Sequence, residues 1–331
     1  MRFDGKDLRL VLFMAFGIWN LSVVVHAAAA QKLTASLIGP LQTAQGQGLV
    51  RFADRLKALT RGTLEVTIYP DGQLGALAES FEQVQQGIID LTVTPPGVMA
   101  EFLPQIQVYA VPFVFRGFEH WKAVVDGDIG EEISHLAAAR TDVIILGYFG
   151  GSVRQLVTRK KVASVEDMKN LRIRLHPSEV QITAWRAVKA APTVLGYREI
   201  YNALQLGVID ALENEPEWIV RMKFYEQAPF IALTSHEVVT RPLVFSGVRF
   251  EALSPEHRQA VLQAGREASI YERELEHRLD LEKLIELKEK HGVELIKIDS
   301  ATFRAKAREA LAPVLRKQGL EELMRRIQEI E

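Results

Sequence analysis

The feature that most restricts this chain is an internal echo. Residues 84–91 read Val-Gln-Gln-Gly-Ile-Ile-Asp-Leu and residues 204–211 read Leu-Gln-Leu-Gly-Val-Ile-Asp-Ala, a match at an offset of 120 residues. In both copies a helix rich in Glu, Gln and apolar residues stops at a glycine, Gly87 or Gly207, where a left-handed C-terminal residue is required, and a β-branched pair then opens a strand. A single glycine turn of this kind recurs by chance. Here each copy also sits late in a run of short strands and helices, such as the alternation of Leu64, Val66 and Ile68 that ends in the turn Pro70-Asp71-Gly72. The expectation is an α/β chain of two similar lobes, each with a mixed, mostly parallel sheet.

A length of 331 residues, with 48% hydrophobic and 25% charged residues, is enough for two cores. The chain has no cysteine, which removes disulfides, thiolate catalysis, thiolate metal sites and lipid attachment at a cysteine. At the N-terminus Arg2, Lys6 and Arg9 precede an apolar run from Leu10 to Val25, followed by His26-Ala27-Ala28-Ala29-Ala30 with an A-x-A pattern at Ala28/Ala30. Residues 1–30 therefore read as a secretory signal peptide. The competing reading is an uncleaved anchor, but the run is broken by Asn20 and Ser22 and falls short of the roughly 20 residues a spanning helix needs. The net charge is −2, and loss of residues 1–30 takes away one more basic than acidic residue. Neither nucleic acid nor an anionic membrane surface would attract such a chain. Export without an anchor points to a soluble, monomeric protein of a Gram-negative periplasm, not inserted in the membrane.

Ser254-Pro255-Glu256 is a helix start, and no breaker other than Gly265 follows until Gly292, so one helix of about 37 residues is expected. Its Glu- and Arg-laced surface fits a solvated brace across both lobes, or a partner helix. A strand at 293–298 and a helix from Ala301 to Gln318 should follow it.

Chemistry of the common catalytic kinds is missing. None of the eight histidines forms H-x-H or H-E-x-x-H, and there is no nucleophile elbow, phosphate loop or dinucleotide fingerprint. Neither a metal nor another cofactor is expected. Glu213, Glu215 and Glu217 alternate; they fit a solvated loop, structural pairing or, less well, metal-assisted ligand binding. Ligands of open α/β sheets lie beyond the carboxyl ends of strands. Thr94 and Asn214, each four residues after the aspartate of its echo copy, are therefore placed at the groove. Arg172 and Arg174 share one face of a short strand, and an arginine fork suits a buried carboxylate because it gives two charge-assisted bonds and keeps its proton. Any one arginine taken alone is more often a surface ion-pair partner.

Tyr69-Pro70-Asp71-Gly72-Gln73-Leu74-Gly75, Val111-Pro112-Phe113-Val114-Phe115, the run Glu166 to Arg174, Pro192-Thr193 to Tyr201, Ala203-Leu204-Gln205, Gly207-Val208-Ile209-Asp210 and Glu213-Asn214 occur in this order. In this the chain resembles the substrate-binding proteins of tripartite ATP-independent periplasmic (TRAP) transporters, of the dicarboxylate-receptor type, from about Leu33 to beyond Gly292. The resemblance implies a two-lobed periplasmic-binding-protein-like fold braced by the long helix, with lobe I at 31–151 plus about 240–280 and lobe II at 152–239 plus about 281–331. It implies that Arg174 clamps a ligand carboxylate, that Arg154 assists, that Asn214 hydrogen-bonds the same end and that Tyr197 packs over the ligand. Trp218 is a further candidate wall. His176, where the family often has proline, is either a second polar contact or structural.

The implied activity is capture of a small organic acid by lobe closure and delivery to ion-driven TRAP permease subunits. A receptor for an ATP-driven importer and a ligand-delivering sensor subunit are the alternatives, and a periplasmic lyase or hydrolase is disfavoured by the missing motifs. Ala76, Leu77 and Ala78, with Pro95 and Pro96, replace the acidic or amide groups of sugar-acid receptors. They give the distal pocket an apolar character that favours an alkyl or aromatic acid.

Overall fold

The computed structural model describes residues 30–331, so the expected signal peptide lies outside the described residues apart from Ala30. Nine strands form one sheet: β1 (Gln31–Ser36), β2 (Leu64–Tyr69), β3 (Leu91–Val93), β4 (Val143–Thr158), β5 (Arg172–Leu175), β6 (Ala191–Val194), β7 (Ala211–Asn214), β8 (Phe230–Ser246) and β9 (Glu294–Lys297). The helices are α1 (Ala44–Leu59), α2 (Leu77–Gln85), α3 (Pro96–Met99), α4 (Phe118–Asp126), α5 (Asp128–Thr141), α6 (Glu179–Ala187), α7 (Ile200–Gln205), α8 (Pro216–Arg221), α9 (Gly247–Glu251), α10 (Pro255–His291), α11 (Ala301–Lys317) and α12 (Glu321–Glu329).

The strand order is β2-β1-β3-β8-β4-β7-β5-β6, with β9 beside β8. One half holds parallel β1, β2 and β3 against antiparallel β8, and the other holds parallel β5, β6 and β7 against antiparallel β4. Each half is mixed, as expected. The sequence did not reveal that β4 and β8 are long enough, at 16 and 17 residues, to pair with each other through both halves and join them in one sheet.

Between the halves the β4–β8 ladder is irregular. Its register shifts between Gly150 and Val153 and again between Arg154 and Leu156, and Gly150 and Gly151 take φ of +119° and +94°, which favour glycine. Amides that this bulge frees from the ladder are taken up by the long helix. Glu272 accepts from the Gly150 N–H at 2.8 Å and Asp280 from the Val153 N–H at 2.8 Å. The Gly147–Gly151 cluster, which only superficially resembles a phosphate loop, is thus a strand bulge.

The long helix α10 occupies the expected residues. Ser254 accepts the His257 N–H at 3.2 Å, Pro255 takes the first position, and Gly292 closes the helix at φ +67°. Its N-terminal half packs Val261, Ala264 and Ala268 into a core with Leu33, Phe52 and Phe245, while its C-terminal Leu287 joins a second core with Ile200, Ile219 and Phe224. It braces both halves. Past α10, Phe303 of α11 packs on Trp185 of α6, and α12 reaches back to the first half, where Arg326 pairs with Glu132 at 2.6 Å and His120 Nε2 lies 2.9 Å from the Ile327 carbonyl.

The echo has a common structure. Gly87 and Gly207 both take φ of +70°, Ile89 and Ile209 are buried, and the aspartates meet arginines, Asp90 with Arg249 at 2.8 Å and Asp210 with Arg172 at 2.6 Å.

Candidate ligand-binding site

The carboxyl ends of β1, β3, β5, β6 and β7 face a cleft between the halves, as strand-end geometry requires. Its inner cavity, about 100 Å³, is lined by Arg154, Arg174, His176, Tyr197, Asn214 and Trp218, all expected from the sequence. Thr94, also expected at the groove, is not among the lining residues. Val93, Pro95 and Pro96 line the wall, but Thr94 lies behind it, fully buried, its N–H bonded to Pro242 O at 3.1 Å and its hydroxyl without a partner. The bond to Pro242 continues the β3–β8 register, so Thr94 alternates with Val93 and Pro95, which line the cavity.

Arg174, next to last in β5, has only 5% of its surface exposed. Among the described residues its one hydrogen bond is from Nε to Leu195 O, 3.0 Å, and its guanidinium carbon lies 5.7 Å from the centre of the Tyr197 ring. Burial, partly offset by Glu213 and reinforced by Arg154, lowers its pKa, the signature of a cation in want of a counter-charge. Asn214 gives its amide to the Tyr197 hydroxyl at 2.9 Å, and its carbonyl accepts the Glu215 N–H at 3.0 Å. Tyr197 meets Trp218 edge-on at 5.7 Å, and burial pushes its phenol up to about 12, so it stays a neutral donor. His176 hydrogen-bonds no described residue, and burial pushes it down to about 4, so the imidazole facing the cavity is neutral.

Arg154 has a different character. Its guanidinium binds both carboxyl oxygens of Glu213, Nη2–Oε1 being 2.9 Å, as well as the Glu213 carbonyl at 2.8 Å and Glu215 at 3.0 Å. Burial alone would raise the Glu213 carboxyl, but Arg154 and His236 outweigh it and hold it well below the usual range. Of the readings open for the alternating glutamates, structural pairing fits Glu213 and Glu215, both wholly buried. Glu213, His236 and Glu237 place three donor atoms within 4.8 Å of one another, and Arg154 supplies positive charge to that cluster. Arg172, on the strand face of Arg174, is consumed by Asp210 at the other end of β5.

Several wall residues escaped the sequence reading, among them Arg241, Glu237 and Gln45. Arg241 of β8 binds Glu215 and, at 2.9 Å, Glu276 of α10. Glu237, also of β8, accepts from Gln181, and burial pushes it up to about 8. Gln45, at the start of α1, is 4% exposed and its side chain hydrogen-bonds no described residue. Nothing local marks them, because their place depends on the pairing of β4 with β8 and on how α1 meets the second half.

Contacts close the cleft from both sides. Glu217 accepts the Ala44 N–H at 3.1 Å, Arg221 donates to Gln42 O at 3.0 Å, Trp218 lies against Gly39, and Arg198 reaches Asp71 O.

Residues 36–322 match the family model described as bacterial extracellular solute-binding protein, family 7. A solute-binding protein of a Sulfitobacter species is 37% identical over 240 residues, which cover 72% of this chain and 73% of that protein. A TRAP periplasmic solute-binding protein from Citrobacter koseri, solved with bound D-glucuronate, superposes with a TM-score of 0.86 at 29% identity, covering 91% of this chain and 100% of that one. Another, from Sulfitobacter and with bound α-D-taluronate, gives a TM-score of 0.86 at 31% identity, covering 90% and 97%.

Proposed function

The chain belongs to the bacterial extracellular solute-binding proteins of family 7, the solute receptors of TRAP transporters, and from that premise we propose that Arg174 is the residue that captures its ligand's carboxylate. The protein is a receptor for a small organic acid that it passes to a TRAP permease. The observation that carries the assignment of the clamp is the isolation of the Arg174 guanidinium, buried at the cavity wall with one backbone carbonyl as its hydrogen-bond partner among the described residues. A buried cation is costly unless paired. A carboxylate in the cavity supplies the pair, with Asn214 and Tyr197 beside it as neutral partners and His176 as a second polar contact. Arg154 acts from behind, as a fixed positive charge whose hydrogen bonds are spent on Glu213 and Glu215.

Binding uses hinged closure. The lobes, 31–151 with about 240–280 and 152–239 with about 281–331, rotate about the β4 bulge at Gly150–Val153, α12 staying with the first lobe it packs on, and Trp218, Glu217 and Arg198 engage the first lobe when the cleft shuts. No bond is made or broken in this cycle. The receptor works as a monomer in the periplasm after removal of residues 1–30 near Ala28–Ala30. Among the described residues no helix is long and apolar enough to cross a membrane.

The test is a thermal-shift screen of organic acids on wild type and Arg174→Ala. At least one acid raises the wild-type melting temperature, and the variant loses that response. A response that persists in the variant sinks the clamp.

A further inference from the structure

The wall opposite Arg174 has a different composition from the wall that carries it. On the second-half side stand Arg154, Arg174, His176, Tyr197 and Asn214; on the first-half side the inner cavity meets the apolar Ile38, Leu77, Val93, Pro95 and Pro96, with Gln45, Thr240 and Arg241 as its polar members, Arg241 being held by Glu215 and Glu276. The cleft continues outward past Leu77, Pro95, Arg174 and His176 into a second chamber of about 580 Å³, bounded by Ala76, Ala78, Val98, Val194 and Leu195. Val194 is 49% exposed there, an apolar side chain left at a cleft mouth.

The charged residues of the outer chamber are tied to the backbone. Glu79 accepts the Ala76 N–H at 2.8 Å, Glu199 accepts the Gly196 N–H at 2.7 Å, and Arg198 is held by Asp71 O. In the inner cavity Thr240 is already the acceptor for Trp121 Nε1 at 2.8 Å. One polar side chain on the first-half wall remains without a partner among the described residues: Gln45, nine-tenths buried and facing the cavity.

Resting on the assignment of Arg174, we propose that the ligand is a carboxylic acid with an alkyl or aryl body bearing at most one distal polar group, which Gln45 reads, and not a polyhydroxylated sugar acid. The carboxylate sits on Arg174 and the hydrocarbon part lies along Ile38, Leu77 and Pro95 towards the outer chamber. A sugar acid in the same pose turns several hydroxyls towards Ile38, Leu77, Val93, Pro95 and Pro96, where Gln45 is the one polar side chain with no hydrogen-bond partner among the described residues. Hydroxyls stripped of water without a new partner weaken binding, whereas apolar surface gains from the same burial. This sets the chain apart from its uronate-bound relatives, with which it shares about three residues in ten.

Calorimetric titration of the mature protein tests this with D-glucuronate and D-galacturonate on one side. On the other are hexanoate, 3-phenylpropionate and their hydroxylated analogues, 6-hydroxyhexanoate and 3-(4-hydroxyphenyl)propionate. At least one apolar-bodied acid binds about tenfold or more tighter than either uronate. Gln45→Leu removes any preference for a hydroxylated analogue over its parent. A uronate that outcompetes every apolar acid, with its binding lost in Arg174→Ala, overturns the ligand class while leaving the clamp intact. Binding that survives Arg174→Ala overturns the clamp and this inference with it, and binding of no acid in the panel overturns the ligand class.

Discussion

Glu217 of α8 accepts the backbone N–H of Ala44, the first residue of α1, at 3.1 Å across the cleft, with both residues buried. A carboxylate from one half thereby caps a helix of the other, where the partial positive charge of a helix N-terminus favours it. Burial still dominates and, with Glu276 of α10 adding to it, pushes Glu217 up to about 7 against the opposing pull of Ala44, Arg221 and Lys283.

Stability should therefore fall as pH rises. A carboxyl held above its unfolded value of 4.5 keeps its proton better in the folded protein, so its contribution is full below that value and is lost as pH rises through about 7. For Glu217 the effect is on the order of 3 kcal/mol. Burial likewise pushes Asp280 up to about 7 and Glu237 up to about 8, with the same sign. The melting temperature should drop between about pH 4.5 and about pH 8, and Glu217→Gln, which keeps an acceptor for Ala44, should flatten the drop. A slope equal to that of wild type would refute this.

Arg154 and Arg174 should separate stability from binding. Arg154→Ala leaves Glu213 buried without its main counter-charge and Glu215 with Arg241 alone, and should cost about 3–5 kcal/mol in denaturant unfolding. Arg174→Ala removes a desolvated charge that no carboxylate pairs, so the ligand-free protein should be as stable as wild type or more so, while binding of acids is lost. Equal destabilisation by the two variants would contradict the division of roles.

Gly39→Ala should impair closure. A Cβ on Gly39 would overlap Cη2 of Trp218, a contact between opposite sides of the cleft. The variant should bind its acid about tenfold or more weakly, a loss of about 1.4 kcal/mol, and scatter X-rays as a more extended particle. Unchanged affinity would show that the two sides do not need this approach.

Much of this was legible because it is local. Ser254, Pro255 and Gly292 mark the ends of α10, and Gly87 and Gly207 mark the paired helix stops, because capping depends on residues a few positions apart. The family pattern brought Arg154, Arg174 and Asn214 to one cavity. Partnership is where the reading ran out. Arg154 and Arg174 are alike as letters, but Glu213 and Glu215 reach only one of them, and β4 and β8 acquire their length by pairing across about 80 positions of sequence. Thr94 was expected at the groove by counting from Asp90, but which face of β3 lines the cavity depends on the pairing with β8, and Val93 and Pro95 take that face.

The shared β4–β8 ladder also dictates the order in which the molecule can be assembled. The core around Leu33, Phe52 and Leu64 is finished by Leu243, Phe245 and Val261, close to two hundred residues downstream. A chain synthesised from its N-terminus cannot seal its first-formed half until about three-quarters of its length exists. Such distant contacts make folding slow, and neither half is an autonomous folding unit. Calorimetry should accordingly record one heat-absorption peak for the whole molecule rather than one for each half.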